Sequence, residues 1–74
     1  MAATAKSKLH KQVANAIRGQ LVRKGWDQAH LADHAAIGQS HLSRLLNQKQ
    51  SPTLQMLEKI ANALDVSVRD LLPP

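Results

Sequence analysis

The chain has 74 residues, which suits one small domain and leaves no room for a deep substrate pocket. It contains no cysteine, which excludes a disulfide framework and any metal site built on thiolates. Ten Lys and Arg against five Asp and Glu give a formal charge of +5, which favours a polyanionic partner, although a basic surface that only aids solubility has the same composition.

The first segment, residues 1–7, is interpreted as a flexible basic arm ahead of a single domain over residues 8–74. The arm lacks the apolar centre of a signal peptide, and the apolar stretches of the chain are only a few residues long. We therefore expect a cytoplasmic, nucleoid-associated protein with no membrane partner.

The positive charge is concentrated near the N-terminus. Up to Trp26 there are six basic residues and no acidic one, whereas from Asp27 onward there are four basic and five acidic residues. Basic side chains on the arm and the first helix are expected to neutralise phosphate groups. These residues are Lys6, Lys8 and Lys11.

The first predicted helix runs from about Lys8 to Lys24. Its apolar residues recur at four-residue spacing, the pattern of one helix face, at Leu9, Val13, Ile17 and Leu21. Gly25 is expected to end the helix. Gly19 lies in its interior, where glycine costs about 1 kcal/mol relative to alanine, and we expect it to mark a close helix crossing.

Two short helices follow. Asp27 is expected to cap a second helix that ends near His34 or Ala35, and a third helix is predicted from Gln39 to about Asn47. The third helix turns its leucines inward and leaves a polar face outside, and a helix has the right width for the major groove of B-DNA. A helical hairpin buried within a bundle is the alternative.

The last predicted elements are a fourth helix capped by Thr53 and a short fifth helix that ends before Pro73. Ser67 and Asp70, three residues apart, resemble a capping box at the start of the fifth. Trp26 is the only aromatic residue, so the core is expected to be aliphatic. The sequence therefore predicts an all-α fold, a compact bundle of about five short helices with a helix-turn-helix.

Three segments carry a family resemblance: 28–32, reading Gln-Ala-His-Leu-Ala; 37–45, reading Ile-Gly-Gln-Ser-His-Leu-Ser-Arg-Leu; and 51–67, from Ser-Pro-Thr to Val-Ser. Together they resemble the lambda-repressor-like, XRE-type helix-turn-helix domains, over roughly residues 13–72. The resemblance implies that Gln39 and Ser40 contact bases and that Gln28 contacts a phosphate. Three residues depart from the family pattern, Ala36 and Gln48 where glycine is usual and Leu46 where glutamate is frequent.

The chemistry of the exposed side chains agrees with these roles. The amide of Gln39 can pair with N6 and N7 of adenine, and Arg44 with O6 and N7 of guanine or with a phosphate. Small hydroxyls at Ser40 and Ser43 suit base edges or phosphates. The remaining expected phosphate contacts are His41, Asn47 and Lys49.

The histidines raise metal binding as an alternative. His30 and His34 lie four residues apart, a spacing that can chelate a metal, with His10 and His41 as conceivable further ligands, but exposed polar positions explain these residues as well. The chain lacks paired pocket carboxylates, a nucleophile elbow and a phosphate-binding glycine loop, so no enzyme activity, cofactor or metal is expected.

The main alternative function is a protein-interaction module, such as the antitoxin of a toxin–antitoxin pair. Double-stranded DNA is the expected partner, with a toxin or polymerase as a further protein partner. Family resemblance also implies a homodimer on a palindromic operator, for which the apolar C-terminal residues offer a surface unless they close the core. They are Val66, Val68, Leu71 and Leu72.

Overall fold

The computed structural model describes the backbone of residues 2–72 and the side chains of residues 10–72. Over that part of the chain the fold is entirely helical, without a strand, which confirms the all-α class. It comprises four α-helices and a turn of 3-10 helix: α1 Ala2–Lys24, α2 Gln28–Ala35, α3 Gln39–Leu46, α4 Leu54–Leu64 and the 3-10 turn Val68–Leu71.

Two predicted boundaries differ from the structure. The predicted fifth helix is only the 3-10 turn, because few residues separate Ser67 from Pro73 and a proline disfavours α-helical geometry in the residue before it. Helix α1 begins at Ala2 rather than at Lys8, so the backbone of residues 2–7 of the predicted arm is helical. Alanines at the start of the chain have high helix propensity, which apolar periodicity alone does not register. The division into arm and domain stays a prediction.

The core is aliphatic, as expected. Helix α2 packs against α3 and α4, while α1 packs against α3 and the 3-10 turn. All buried side chains among the described residues are apolar: Val13, Ala14, Ile17, Leu21, Leu31, Ala32, Ala35, Leu42, Leu45, Leu46, Met56, Leu57, Ile60, Ala61, Leu64 and Leu71. No helix within residues 2–72 combines the length and the apolar character that crossing a membrane requires.

All four α-helices end with the same backbone conformation and hydrogen bond. A residue with positive φ follows each helix, and the next N–H donates back to the carbonyl five residues earlier, at 2.9 to 3.0 Å. Such a conformation favours glycine, yet glycine occupies only the first of these positions. The four residues are Gly25, Ala36, Gln48 and Asp65.

The expectation of a close crossing at Gly19 is wrong. Gly19 is exposed, and a Cβ atom added there would meet nothing within 4 Å. The low helix propensity of this residue is therefore not offset by packing.

Candidate nucleic-acid interface

The connection between α2 and α3 is built from local interactions. The Asp27 carboxylate accepts a hydrogen bond from the His30 N–H at 2.8 Å and fixes the start of α2, as predicted. Ala36 then adopts φ 57° and ψ 43°, and Ile37 packs half-buried against the core. Gly38, in an extended conformation, begins α3 without a side-chain cap. The chain thus passes from one helix to the next within three residues.

Helix α3 has two chemically distinct faces. Leu42, Leu45 and Leu46 are buried, which anchors the helix to the core. The predicted base-contacting residues share the opposite face: Gln39, Ser40 and Arg44 are exposed and Ser43 is half-buried. The structure therefore brings together all four residues in one surface row, whereas their contact with bases stays a prediction.

The predicted phosphate contacts are spread over several elements. Gln28 is the first residue of α2 and is half-buried; the others that the structure describes are exposed. They comprise Lys11 on α1, His41 on α3, and Asn47 and Lys49 directly after α3. The side chains of Lys6 and Lys8 lie outside the described residues.

An internal hydrogen-bond chain ties the end of α3 to α1. Arg18 Nη2 donates to the Leu46 carbonyl at 3.1 Å and to Asn47 Oδ1 at 3.4 Å. Asn47 Nδ2 in turn donates to Ser43 Oγ at 3.3 Å. Sequence reasoning counted Arg18 only as one positive charge, because its partners lie 28 and 29 residues further along the chain. No local spacing pattern signals such a contact.

An aromatic cluster covers the junction of α1 and α2. The ring centroids of His30 and His34 are 4.3 Å apart, and both lie against Trp26, at 4.5 and 4.8 Å. The ammonium group of Lys24 is 5.5 Å from the centroid of the Trp26 ring, within the range of a cation–π contact. Over the described side chains, no three His, Cys, Asp or Glu residues are grouped as metal ligands.

Comparison with known proteins gives consistent matches. Residues 17–71 match the sequence profile described as helix-turn-helix. The chain is 42% identical over 50 residues to the HTH-type transcriptional regulator SinR of Bacillus subtilis (strain 168), and equally to SinR of Bacillus licheniformis. These matches cover 66% of this chain and 45% of each relative, so the chain spans less than half the length of those proteins.

A solved structure is similar as well. The crystal structure of the hypothetical transcription factor NHTF from Neisseria superposes with a TM-score of 0.84 at 32% sequence identity. The superposition covers 89% of this chain and 76% of that chain.

Proposed function

Because the chain belongs to the helix-turn-helix family, whose profile it matches over residues 17–71, we propose that it is a transcriptional regulator that binds double-stranded DNA with α3 in the major groove. The resemblance to XRE-type domains noted in the sequence is confirmed by this match and by the similarity to SinR and NHTF. The observation that carries the proposal is the polarity of α3, which buries its leucines and exposes Gln39, Ser40 and Arg44.

In this proposal the outer face of α3 reads bases. Gln39 pairs with adenine through its amide, and Arg44 pairs with guanine through two parallel N–H groups. Ser40 and Ser43 contact base edges with their hydroxyls. Residues outside this row hold the duplex by its backbone, which fixes the register of the protein without reading sequence. They are Gln28, His41, Asn47, Lys49 and the lysines of the N-terminal segment.

We further propose that the regulator represses, since occupation of a duplex site is enough to exclude other proteins from it. A two-fold dimer on a palindromic site suits this mode. A protein partner that covers the exposed apolar side chains Val22, at 81%, and Leu54, at 67%, is the second candidate. Salt distinguishes the two, because phosphate neutralisation weakens steeply with rising salt and an apolar interface does not.

The test compares Gln39, which is proposed to contact a base, with Lys11, which is proposed to contact a phosphate. Selection from random duplexes first identifies the preferred site. Gln39→Ala is then expected to cost roughly 1 to 3 kcal/mol on that site and little on random duplex, because it removes a base contact. Lys11→Ala serves as the matched control: it should weaken both duplexes alike and lower the slope of log affinity against log salt by about 1.

Salt titrations of both variants on both duplexes give the readout. Arg44→Ala should behave like Gln39→Ala, at a neighbouring base pair. If Gln39→Ala weakens binding to both duplexes equally and leaves the base preference intact, Gln39 does not contact a base. Sequence specificity must then come from another part of the protein or from DNA shape.

A further inference from the structure

The hydrogen bonds at the end of α3 fix which way the Asn47 amide faces. A guanidinium group carries donors and no acceptor, so the Asn47 atom that faces Arg18 at 3.4 Å must be the amide oxygen. Arg18 is itself held by its shorter bond to the Leu46 carbonyl, at 3.1 Å. The amide nitrogen is consequently turned toward Ser43, 3.3 Å from its Oγ.

This arrangement sets the role of the Ser43 hydroxyl. A hydroxyl has one proton and two lone pairs, and here one lone pair accepts from Asn47. The proton must therefore point away from Asn47. Ser43 lies one turn after Gln39, in the row that forms the outer face of α3, and Asn47 follows one turn later, just after the helix ends.

We propose that Arg18 and Asn47 act as positioning residues that orient Ser43 as a hydrogen-bond donor toward the bound duplex, an inference that rests on the proposed function and adds to the phosphate contact proposed there for Asn47. Ser43 then selects a base with an acceptor in the major groove, which guanine, adenine and thymine present. Cytosine presents only its amino donor there and is disfavoured at that position.

The sharpest test exchanges donor and acceptor in the hydrogen bond between Asn47 and Ser43. Asn47→Asp keeps an oxygen for Arg18, but the atom that faces Ser43 becomes an acceptor. Ser43 then donates its proton to the aspartate and presents a lone pair to the duplex, which suits the amino groups of cytosine and adenine. The wild-type preference against cytosine, roughly three- to tenfold for one hydrogen bond, should be lost or inverted.

Competition binding with the four bases at one position measures this preference. The position is located first, as the one whose base preference changes in Ser43→Ala. Gln48→Glu is the matched control for charge, since it adds the same negative charge one residue further and should weaken all duplexes alike. In the double variant with Ser43→Ala, Asn47→Asp should no longer change the base preference, because the group through which it acts is gone.

A second pair of variants tests the anchor. Arg18→Met removes the donors but keeps an apolar stem, and it should relax the preference at the same position. Arg23→Met, an equal loss of charge at an exposed position of the same helix, should leave that preference unchanged. Circular dichroism checks that each variant is folded.

The outcomes separate this inference from the proposed function. A wild-type chain without any base preference overturns the proposed function itself. If preference exists and depends on Gln39, but folded Asn47→Asp only weakens all duplexes as Gln48→Glu does, the positioning role is overturned and the function stands. Should Asn47→Asp not fold, an unchanged preference in Arg18→Met overturns the inference equally.

Discussion

Ala36 holds a left-handed conformation, φ 57° and ψ 43°, that an alanine side chain disfavours by roughly 1 to 2 kcal/mol. Gln48 has nearly the same conformation, with φ 61°. Both are positions where related domains resembling this chain usually carry glycine, so resemblance identified them before the structure did. Without that resemblance, the sequence gives no sign that an alanine adopts positive φ.

We expect Ala36→Gly to stabilise the domain by about 0.5 to 1 kcal/mol, less than the steric cost because glycine also gains freedom in the unfolded chain. Urea denaturation measures the free energy of unfolding. Gln48→Gly should give a similar gain, whereas Asp65→Gly should give less, since aspartate tolerates this conformation better. A clear loss of stability in Ala36→Gly would show that Ala36 is not strained in the wild type.

At the scale of the helices, Gly19 weakens α1 without any compensating contact. Gly19→Ala should therefore raise the free energy of unfolding by about 0.5 to 1 kcal/mol, the difference in helix propensity between the two residues. The control is Gly25→Ala on the same chain, which should destabilise because Gly25 has φ 68°. Equal effects of both substitutions in thermal unfolding would show that helix propensity and positive φ do not distinguish the two glycines.

The start of helix α4 depends on a hydrogen bond from its cap. The Thr53 hydroxyl accepts from the Met56 N–H at 3.1 Å. Thr53→Val preserves the shape and removes the acceptor, and it should cost about 1 kcal/mol of stability. Thr53→Ser retains the acceptor, so chemical denaturation should find it close to the wild type. If Thr53→Ser loses stability and Thr53→Val does not, the methyl group rather than the cap matters.

Helix starts were predictable from the sequence because a cap and its partner lie three residues apart. Asp27 with His30 and Thr53 with Met56 are such pairs. At the 3-10 turn the direction is reversed, since the later residue, Asp70, accepts from the Ser67 N–H at 3.1 Å. The polar face of α3 was likewise readable from periodicity. Two features could not be predicted from the sequence: the hydrogen bond from Arg18 to Asn47 and the open space beside Gly19. Both depend on how distant segments of the chain pack.

For the whole molecule, the sequence left open what the C-terminal apolar residues do. Leu71 is fully buried and closes the core, while Val66 and Val68 are half-buried against it. Only Leu72 of this group is exposed, at 42%. The surface available there for a second copy is therefore smaller than the sequence suggested.

On a palindromic site we expect two chains per duplex, with half-sites about 34 Å apart, one turn of the double helix. Sedimentation at saturation measures this stoichiometry. Leu72→Ser should weaken binding of the second chain if this residue joins the copies, and Leu54→Ser, on another exposed apolar position, is the control. A saturated complex with one chain per duplex would contradict the proposed dimer.

Trp26 also determines which part of the molecule fluorescence reports on during unfolding. The only indole of the chain lies half-buried against His30 and His34 at the junction of α1 and α2, at the edge of the aliphatic core. Its fluorescence therefore monitors mainly that junction, whereas far-ultraviolet circular dichroism monitors all the helices. Denaturation curves from the two signals coincide only when the molecule unfolds in a single step. An earlier change in emission would reveal that the start of α2 opens while the leucine core is still closed.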